Sequence, residues 1–525
     1  MFENVPIPLL KAVIAVANSQ PWLHAIVNSF AINHLVNVSR HRPHPWSTAH
    51  DYVSWTSLSD QHYSARHLPA KYLENLPNEV VLKEFFRRPQ GEQRLSTKSS
   101  CLFPAFAQYL TDGFIRTRMP NKSKNEPDTL RRENTSNHQI DLCPLYGRTP
   151  QQTEQLRVMH DIPGERGRLK SQIRPKTGEE FSPFMYENGA RKTEFTQLDE
   201  PLGLDAVKNT DLQNRLFASG GDRVNSAPQV AMINTLFLRE HNRLAAMLER
   251  CNPTWGDERV FQTARNVLIV VFIKLVVEEY INHISPIPFH FQAEPKVAWD
   301  APWNKPNWIT TEFSLLYRWH SLIPDSTTWG GTAYPAGATI LNNLPLLEGG
   351  LLAGFVDMSA QAAGQLGAFN TSDSLLEVEE RAIVQSRVCN VAPYTDYREY
   401  VSLPRPKDFA DISSNPHVIE FLKATYRNVN EVDYYVGLFA EDGTPNSPLP
   451  PLMMRMVAVD AFSQALTNPL LSKSVFIPKN FSREGWQVIQ DTRSLEDLVK
   501  RNCAGGIGNQ RIGMTLSTWS HQWED

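Results

Sequence analysis

The stretch VAMINTLFLREHNRLAAMLERC, residues 230–251, followed three residues later by WGDERVFQTARNVLIVVFIKLVVEEYINHIS, residues 255–285, decides the fold class. Apolar side chains recur at i, i+3 and i+4 along both, which lines one face of an α-helix. Asp257 stands just before the second helical run and predicts an N-cap there. Runs with strand alternation are few and short, and no repeat of solenoid or propeller period is visible. The 37 prolines serve to end helices. The expectation is a mainly α protein with few short strands: one large helical body over 41–525, preceded by short amphipathic helices over 1–40.

Outward from this centre, residues 8–40 read as two or three short helices carrying Leu9, Leu10, Val13, Ile14, Val16, Trp22, Leu23, Ile26, Val27 and Phe30. Two readings stand open: docking on the core, or an interfacial membrane patch, which Trp22 suits and the lack of Lys and Arg does not. The start resembles a secretory signal only loosely, since Glu3 and Lys11 interrupt it. His41 and His44 lie three apart, but Pro43 and Pro45 keep that backbone non-helical and favour a plain connection over a metal site. Residues 100–117 show helical spacing through Phe103, Phe106, Leu110 and Phe114, and 118–137 read as an exposed charged loop. A net charge of −4 offers no basic field and sets nucleic acid aside. Five scattered cysteines argue against a disulfide framework or zinc cluster and favour a reducing compartment.

LLYRWHSLIPD, residues 315–325, carries the chemistry. On a helix, Tyr317 and His320 share one face. An imidazole can hold a haem iron, and a phenol one turn away would lie against the haem edge. There it can give up an electron and a proton and become a radical able to attack a C–H bond. A Tyr and a His on one helix are far more often packing residues, so the surrounding chain must carry the argument.

LFLREHNRL (236–244), NPTWGDERVFQTARNVLI (252–269) and LLYRWHSLIPD together resemble the animal haem peroxidase superfamily, and within it the cyclooxygenases and fatty-acid dioxygenases. AHDYVSWTSLSDQHYSARHLP (49–69), PAFAQYL (104–110), HQIDLCPLYG (138–147), SGGDRVNSAP (219–228), PYTDYREYVSLPRP (393–406) and DAFSQAL (460–466) extend the resemblance over nearly the whole chain. These residues carry no cysteine pattern of the vertebrate enzymes' growth-factor-like module, so the expectation is a likeness to bacterial relatives such as the cyanobacterial linoleate dioxygenases. A cytoplasmic, membrane-peripheral bacterial protein and a homodimer are the matching expectations.

The resemblance implies that His320 is the proximal iron ligand and Tyr317 the radical former, with Phe313, Leu316 and Trp319 packed around them. On the distal side the family's glutamine is Gln108, and its histidine position carries Asp112. A carboxylate of ordinary pKa accepts a proton poorly near neutral pH, so slow peroxide turnover is expected unless burial raises that pKa. Arg223 falls where some family members carry a distal arginine; it would either polarise peroxide or pair with Asp112 and hold it ionised. Thr111, Ser226 and Ala227 cannot form the covalent haem links of other members, which implies a non-covalent haem b, and Gly113 replaces a calcium-binding aspartate, so calcium is not expected. At the channel mouth His24 replaces an arginine and Ile287 a tyrosine, which removes the bidentate carboxylate anchor; His24 is expected to be mostly solvated. Ser463, Phe462, Val459, Leu316, Ile281 and Ile284 would line the channel. His241, with Arg239, Glu240 and Arg243, reads as packing, as does Arg387.

These expectations favour a haem-dependent dioxygenase that uses peroxide as activator and adds O2 to an unsaturated C18 acid such as linoleate or oleate, giving a lipid hydroperoxide. The rivals are a peroxidase of small reductants, a cyclooxygenase forming endoperoxides, and a non-catalytic haem or lipid binder.

Overall fold

A computed structural model describes residues 7–37, 46–121, 124–175 and 177–523. The His41/His44 pair lies outside the described residues. About 49% of the chain is helical, and the strands form only two-stranded ribbons. The elements that position the site are α1 (Ile7–Ser19), α2 (Pro21–Asn37), β1 (Leu95–Ser100), α3 (Leu102–Asp112), α4 (Pro228–Cys251), α5 (Asp257–Ile284), α6 (Thr311–Leu316), β2 (Ala362–Gly364), α7 (Leu376–Val388), α8 (Tyr434–Ala440) and α9 (Pro451–Leu466).

The two long helices form as their periodicity predicts and pack on each other, with α3 laid across α4. Pro228 opens α4 where its missing N–H costs nothing. Asp257 differs from expectation: Gly256 is the N-cap and Asp257 the first helical residue. Its carboxylate instead accepts from the Gly167 N–H at 2.6 Å and from Arg157 at 2.7 Å, which ties a distant loop to the helix start. Within α5, Val276–Ile281 widen into a π turn before the helix resumes. Phe237 and Phe272 meet edge to face at 5.1 Å and Tyr109 of α3 stacks on Phe237 at 5.6 Å. Each such buried ring contributes about 1.5–3 kcal/mol.

By length and composition α5 is the one helix among the described residues apolar enough to cross a membrane, yet 78% of its apolar window is buried, so it is a core helix. The helix foreseen over 100–117 stops at Asp112, with Gly113 as its C-cap. Helices α1 and α2 both form. Ile14, Ala17, Ala31, Ile32 and Val36 face the body, while Leu9, Val13, Val16, Trp22, Ile26 and Phe30 stand in solvent. All five cysteines are unpaired.

Candidate active site

Helix α6 starts at the Thr310 side chain, which accepts from the Phe313 N–H at 3.1 Å, and it ends at Leu316. Tyr317 and His320 therefore do not share one helical face. Tyr317 caps the helix at φ −90°, ψ 14°; Trp319 turns the chain at φ −87°, ψ 50°; and His320 opens a separate short turn. Tertiary packing decides this break: the Trp319 indole stacks on Tyr317 at 4.6 Å and on Phe103 of α3 at 5.5 Å, and its N–H meets the Met453 sulfur at 3.0 Å.

The break gives the two side chains different neighbours. Tyr317 enters an aromatic box of Phe313 (4.7 Å), Trp319 and Tyr280 of α5 (6.5 Å, nearly parallel). The hydroxyls of Tyr317 and Tyr280 are buried and interact with each other. Burial pushes the Tyr317 phenol above its ordinary pKa, so it stays protonated at physiological pH. His320 meets Glu379 instead: its Nδ1 is buried and lies 3.1 Å from Oε1 of Glu379 on α7, without the alignment of a hydrogen bond. The ring's remaining exposure, 19%, therefore falls on its other atoms.

The distal side is built from α3 and the SGGDR turn. Asp112 is buried and neither carboxylate oxygen makes a hydrogen bond. Arg223 approaches it to 3.6 Å, an ion-pair distance too long for a hydrogen bond. Burial first, then repulsion from Asp222, outweighs attraction to Arg223 and Arg116 and raises Asp112 to about 6. Of the two outcomes expected for Arg223, pairing is what the structure shows, but the pairing does not hold Asp112 at an ordinary pKa. Gly221 makes the approach possible, since a Cβ there would meet Oδ2 of Asp112 at 2.5 Å. Gln108 donates to Ser226 Oγ at 2.6 Å. A cleft lined by Pro104, Ala105, Gln108, Ala227, Ile323 and Pro324 opens between α3 and the segment that follows His320.

Of the channel residues, Leu316, Ile281, Ile284, Val459, Phe462 and Ser463 are buried and Ile287 half-buried. Ser463 donates back along its own helix to Val459 O at 2.7 Å, and α9 packs on both α6 and the π turn of α5. His24 is buried rather than solvated. Its Nε2 lies 2.7 Å from the His290 carbonyl, and its ring stacks on Phe289 at 4.9 Å. Phe289, Phe291 and Phe462 continue as an aromatic row from α2 to α9, with centroids 5.3 and 5.1 Å apart.

His241 sits between the Tyr146 hydroxyl (2.9 Å) and the Gly167 carbonyl (2.8 Å), away from the site. Glu240 ties together Arg243, Arg501 and Asn502, and Arg387 grips both oxygens of Asp433 at 2.9 Å. Sequence reasoning missed three residues. Tyr280 was one aromatic in an apolar run, Glu379 one of three glutamates in LEVEERAIV (376–384), and Arg318 stood unremarked between Tyr317 and His320. Arg318 is half-buried with its guanidinium on Ser314 and Gln385, and desolvation and the nearby Arg223 lower it to about 10.

A match to the family described as animal haem peroxidase spans residues 101–511. The chain belongs to this family. Family membership implies haem binding, and the chain is an oxidoreductase. Prostaglandin G/H synthase 1 of Rattus norvegicus is 29% identical over 479 residues, covering 88% of this chain and 74% of the relative. Prostaglandin G/H synthase 2 of Equus caballus is 28% identical over 518 residues, covering 94% and 79%. Among solved structures, peroxidase A from Dictyostelium discoideum superimposes with a TM-score of 0.68 at 18% identity, over 87% of this chain and 95% of that one. The Oryza sativa fatty acid alpha-dioxygenase does so with 0.66 at 18% identity, over 84% and 81%. At that identity the structures speak for the shared haem peroxidase fold alone. The residues present fit a haem: the buried Nδ1 of His320 leaves the rest of the ring to face a ligand, and the buried oxygens of Asp112 lack the hydrogen-bond donors a carboxylate needs.

Proposed function

We propose that this haem peroxidase is a fatty-acid dioxygenase that works through a radical on Tyr317. One observation carries the reading: a phenol that is protonated, buried, next to the Tyr280 hydroxyl and boxed by aromatic rings, three residues from the haem-side imidazole. His320 would hold the iron, with Gln108 and Asp112 opposite. Bound haem, once oxidised by peroxide, supplies the one-electron oxidant. Tyr317 would give both its electron and its hydroxyl proton to that oxidant, and the resulting phenoxyl would take a hydrogen atom from an allylic or bis-allylic carbon. O2 adds to that carbon, and the peroxyl radical takes a hydrogen atom back from Tyr317, leaving a lipid hydroperoxide and a restored phenol. Phe313, Trp319 and Tyr280 exclude water, which keeps the phenoxyl from being quenched.

The lost mouth anchors, with Ile287 half-buried and His24 already bonded, favour loose seating of an unsaturated C18 chain and simple dioxygenation over ring closure. The exposed row of Leu9, Val13, Val16, Trp22, Ile26 and Phe30 supports interfacial docking on a lipid surface, the source of such a substrate. Asp112, raised to about 6 beside Arg223, favours a second activity, modest turnover of peroxide with small reductants.

The test is Tyr317→Phe in haem-loaded protein. Oxygen uptake with linoleate should fall at least 100-fold, with haem absorbance and peroxide turnover preserved. Undiminished oxygenation would end the radical reading, and product analysis with C18 and C20 acids separates hydroperoxide from endoperoxide.

A further inference from the structure

We propose that Glu379 is the positioning residue of the haem site: it takes the His320 Nδ1 proton as a hydrogen bond once haem is bound, fixes the ring's tautomer and orientation, and makes the imidazole a stronger donor to iron. The proposal rests on His320 being the iron ligand. Glu379 is fully buried on α7, and its Oε1 stands 3.1 Å from Nδ1. Among the described residues no Lys or Arg forms an ion pair with it; its other contacts are hydroxyls, Thr371 on Oε1 at 2.8 Å and Tyr435 of α8 on Oε2. A buried carboxylate is costly unless its oxygens are satisfied. Here two hydroxyl donors hold it from one side and the imidazole completes it from the other. Nδ1 is the buried ring nitrogen with no aligned partner, so a small ring rotation on coordination would close the bond. Nothing else packed there competes for it: the nearby guanidinium, Arg318, bonds Ser314 and Gln385 instead.

A carboxylate behind a ligating imidazole raises the ligand's basicity, and losing such a partner commonly costs 10–100-fold in metal affinity. The effect should read out in the Fe–His stretching band of the ferrous haem protein, in the Fe(III)/Fe(II) midpoint potential and in haem affinity. Glu379→Gln keeps the shape but removes the charge. Its band should move to lower frequency, its potential should rise and its haem affinity should fall about 10-fold or more. Tyr435→Phe removes a competing donor from Oε2 and leaves the carboxylate freer to accept from His320. Its band should move to higher frequency, an opposite shift that general loosening of the pocket would not produce. Unshifted bands in both variants, or shifts of the same sign, would overturn the role of Glu379 while leaving His320 as ligand. Absence of any Fe–His band in the unaltered protein, with His320→Ala binding haem undiminished, would instead remove His320 as ligand and this proposal with it.

Discussion

The two sides of the candidate haem pocket are built to opposite rules. The side carrying Tyr317 is packed: Phe103, Phe313, Trp319 and Tyr280 pack ring to ring around Tyr317, whose buried phenol oxygen has the Tyr280 hydroxyl beside it. The side carrying Asp112 is charged: Asp222 and two arginines, Arg116 and Arg223, crowd its buried carboxylate, which nevertheless lacks a hydrogen bond. The difference separates two tasks. A protein radical survives where water and protons are excluded, whereas moving a peroxide proton needs a group that titrates near working pH.

The comparison breaks first at Tyr317, whose loss should cost at least 100-fold in oxygenation and little in peroxide turnover. The charged side should show the mirror image. Asp112→Ala is expected to lower peroxide turnover about 100-fold, within the usual contribution of a general base, and to leave oxygenation intact after its first activation. Asp112→His, with a base matched to neutral pH, should raise turnover. Stopped-flow reaction with peroxide and an oxygen electrode check both. A smaller effect follows from packing: Phe103→Ala opens a hole under Trp319, Tyr280 and His283 and should cost about 3–5 kcal/mol of stability, read by denaturant titration, and should shorten the lifetime of the tyrosyl signal in electron paramagnetic resonance.

The pH dependence sharpens the contrast. Asp112 is raised to about 6, so peroxide turnover should fall as pH drops through about 6 and the carboxylate takes up its proton. The stability sign is opposite. A folded-state pKa above the unfolded value favours the protonated form, so this group's stabilising contribution is present at low pH and is lost as pH rises through about 6. Asp112→Asn should therefore raise Tm at pH 8 and change it little at pH 4, by calorimetry. Tyr317 stays protonated throughout, and oxygenation from preactivated protein should not follow the same curve.

Much of this contrast was legible in the chain. Periodicity alone places α4 and α5, and LLYRWHSLIPD marks the place where Tyr317 and His320 fall. Substitution at the family's histidine position marks Asp112 as the weak point of the distal side. Other features were not legible because they depend on distant partners. Spacing puts Tyr317 and His320 on one helical face, yet the indole of Trp319, held by Phe103 and Met453, breaks the helix and gives them different neighbours. His24 reads as a solvated imidazole until the His290 carbonyl and the Phe289 ring, some 266 positions away, enclose it.

By itself the sequence determined which long segments are helices and which residues are candidates for the site, because hydrophobic periodicity and local motif are properties of neighbouring positions. Only the tertiary structure decided their electrostatics and orientation. The elevated pKa of Asp112, the buried phenol of Tyr317 beside Tyr280 and the carboxylate behind His320 all come from burial and from contacts between elements far apart in the chain. Desolvation and packing belong to the assembled volume, and no local window of residues encodes them.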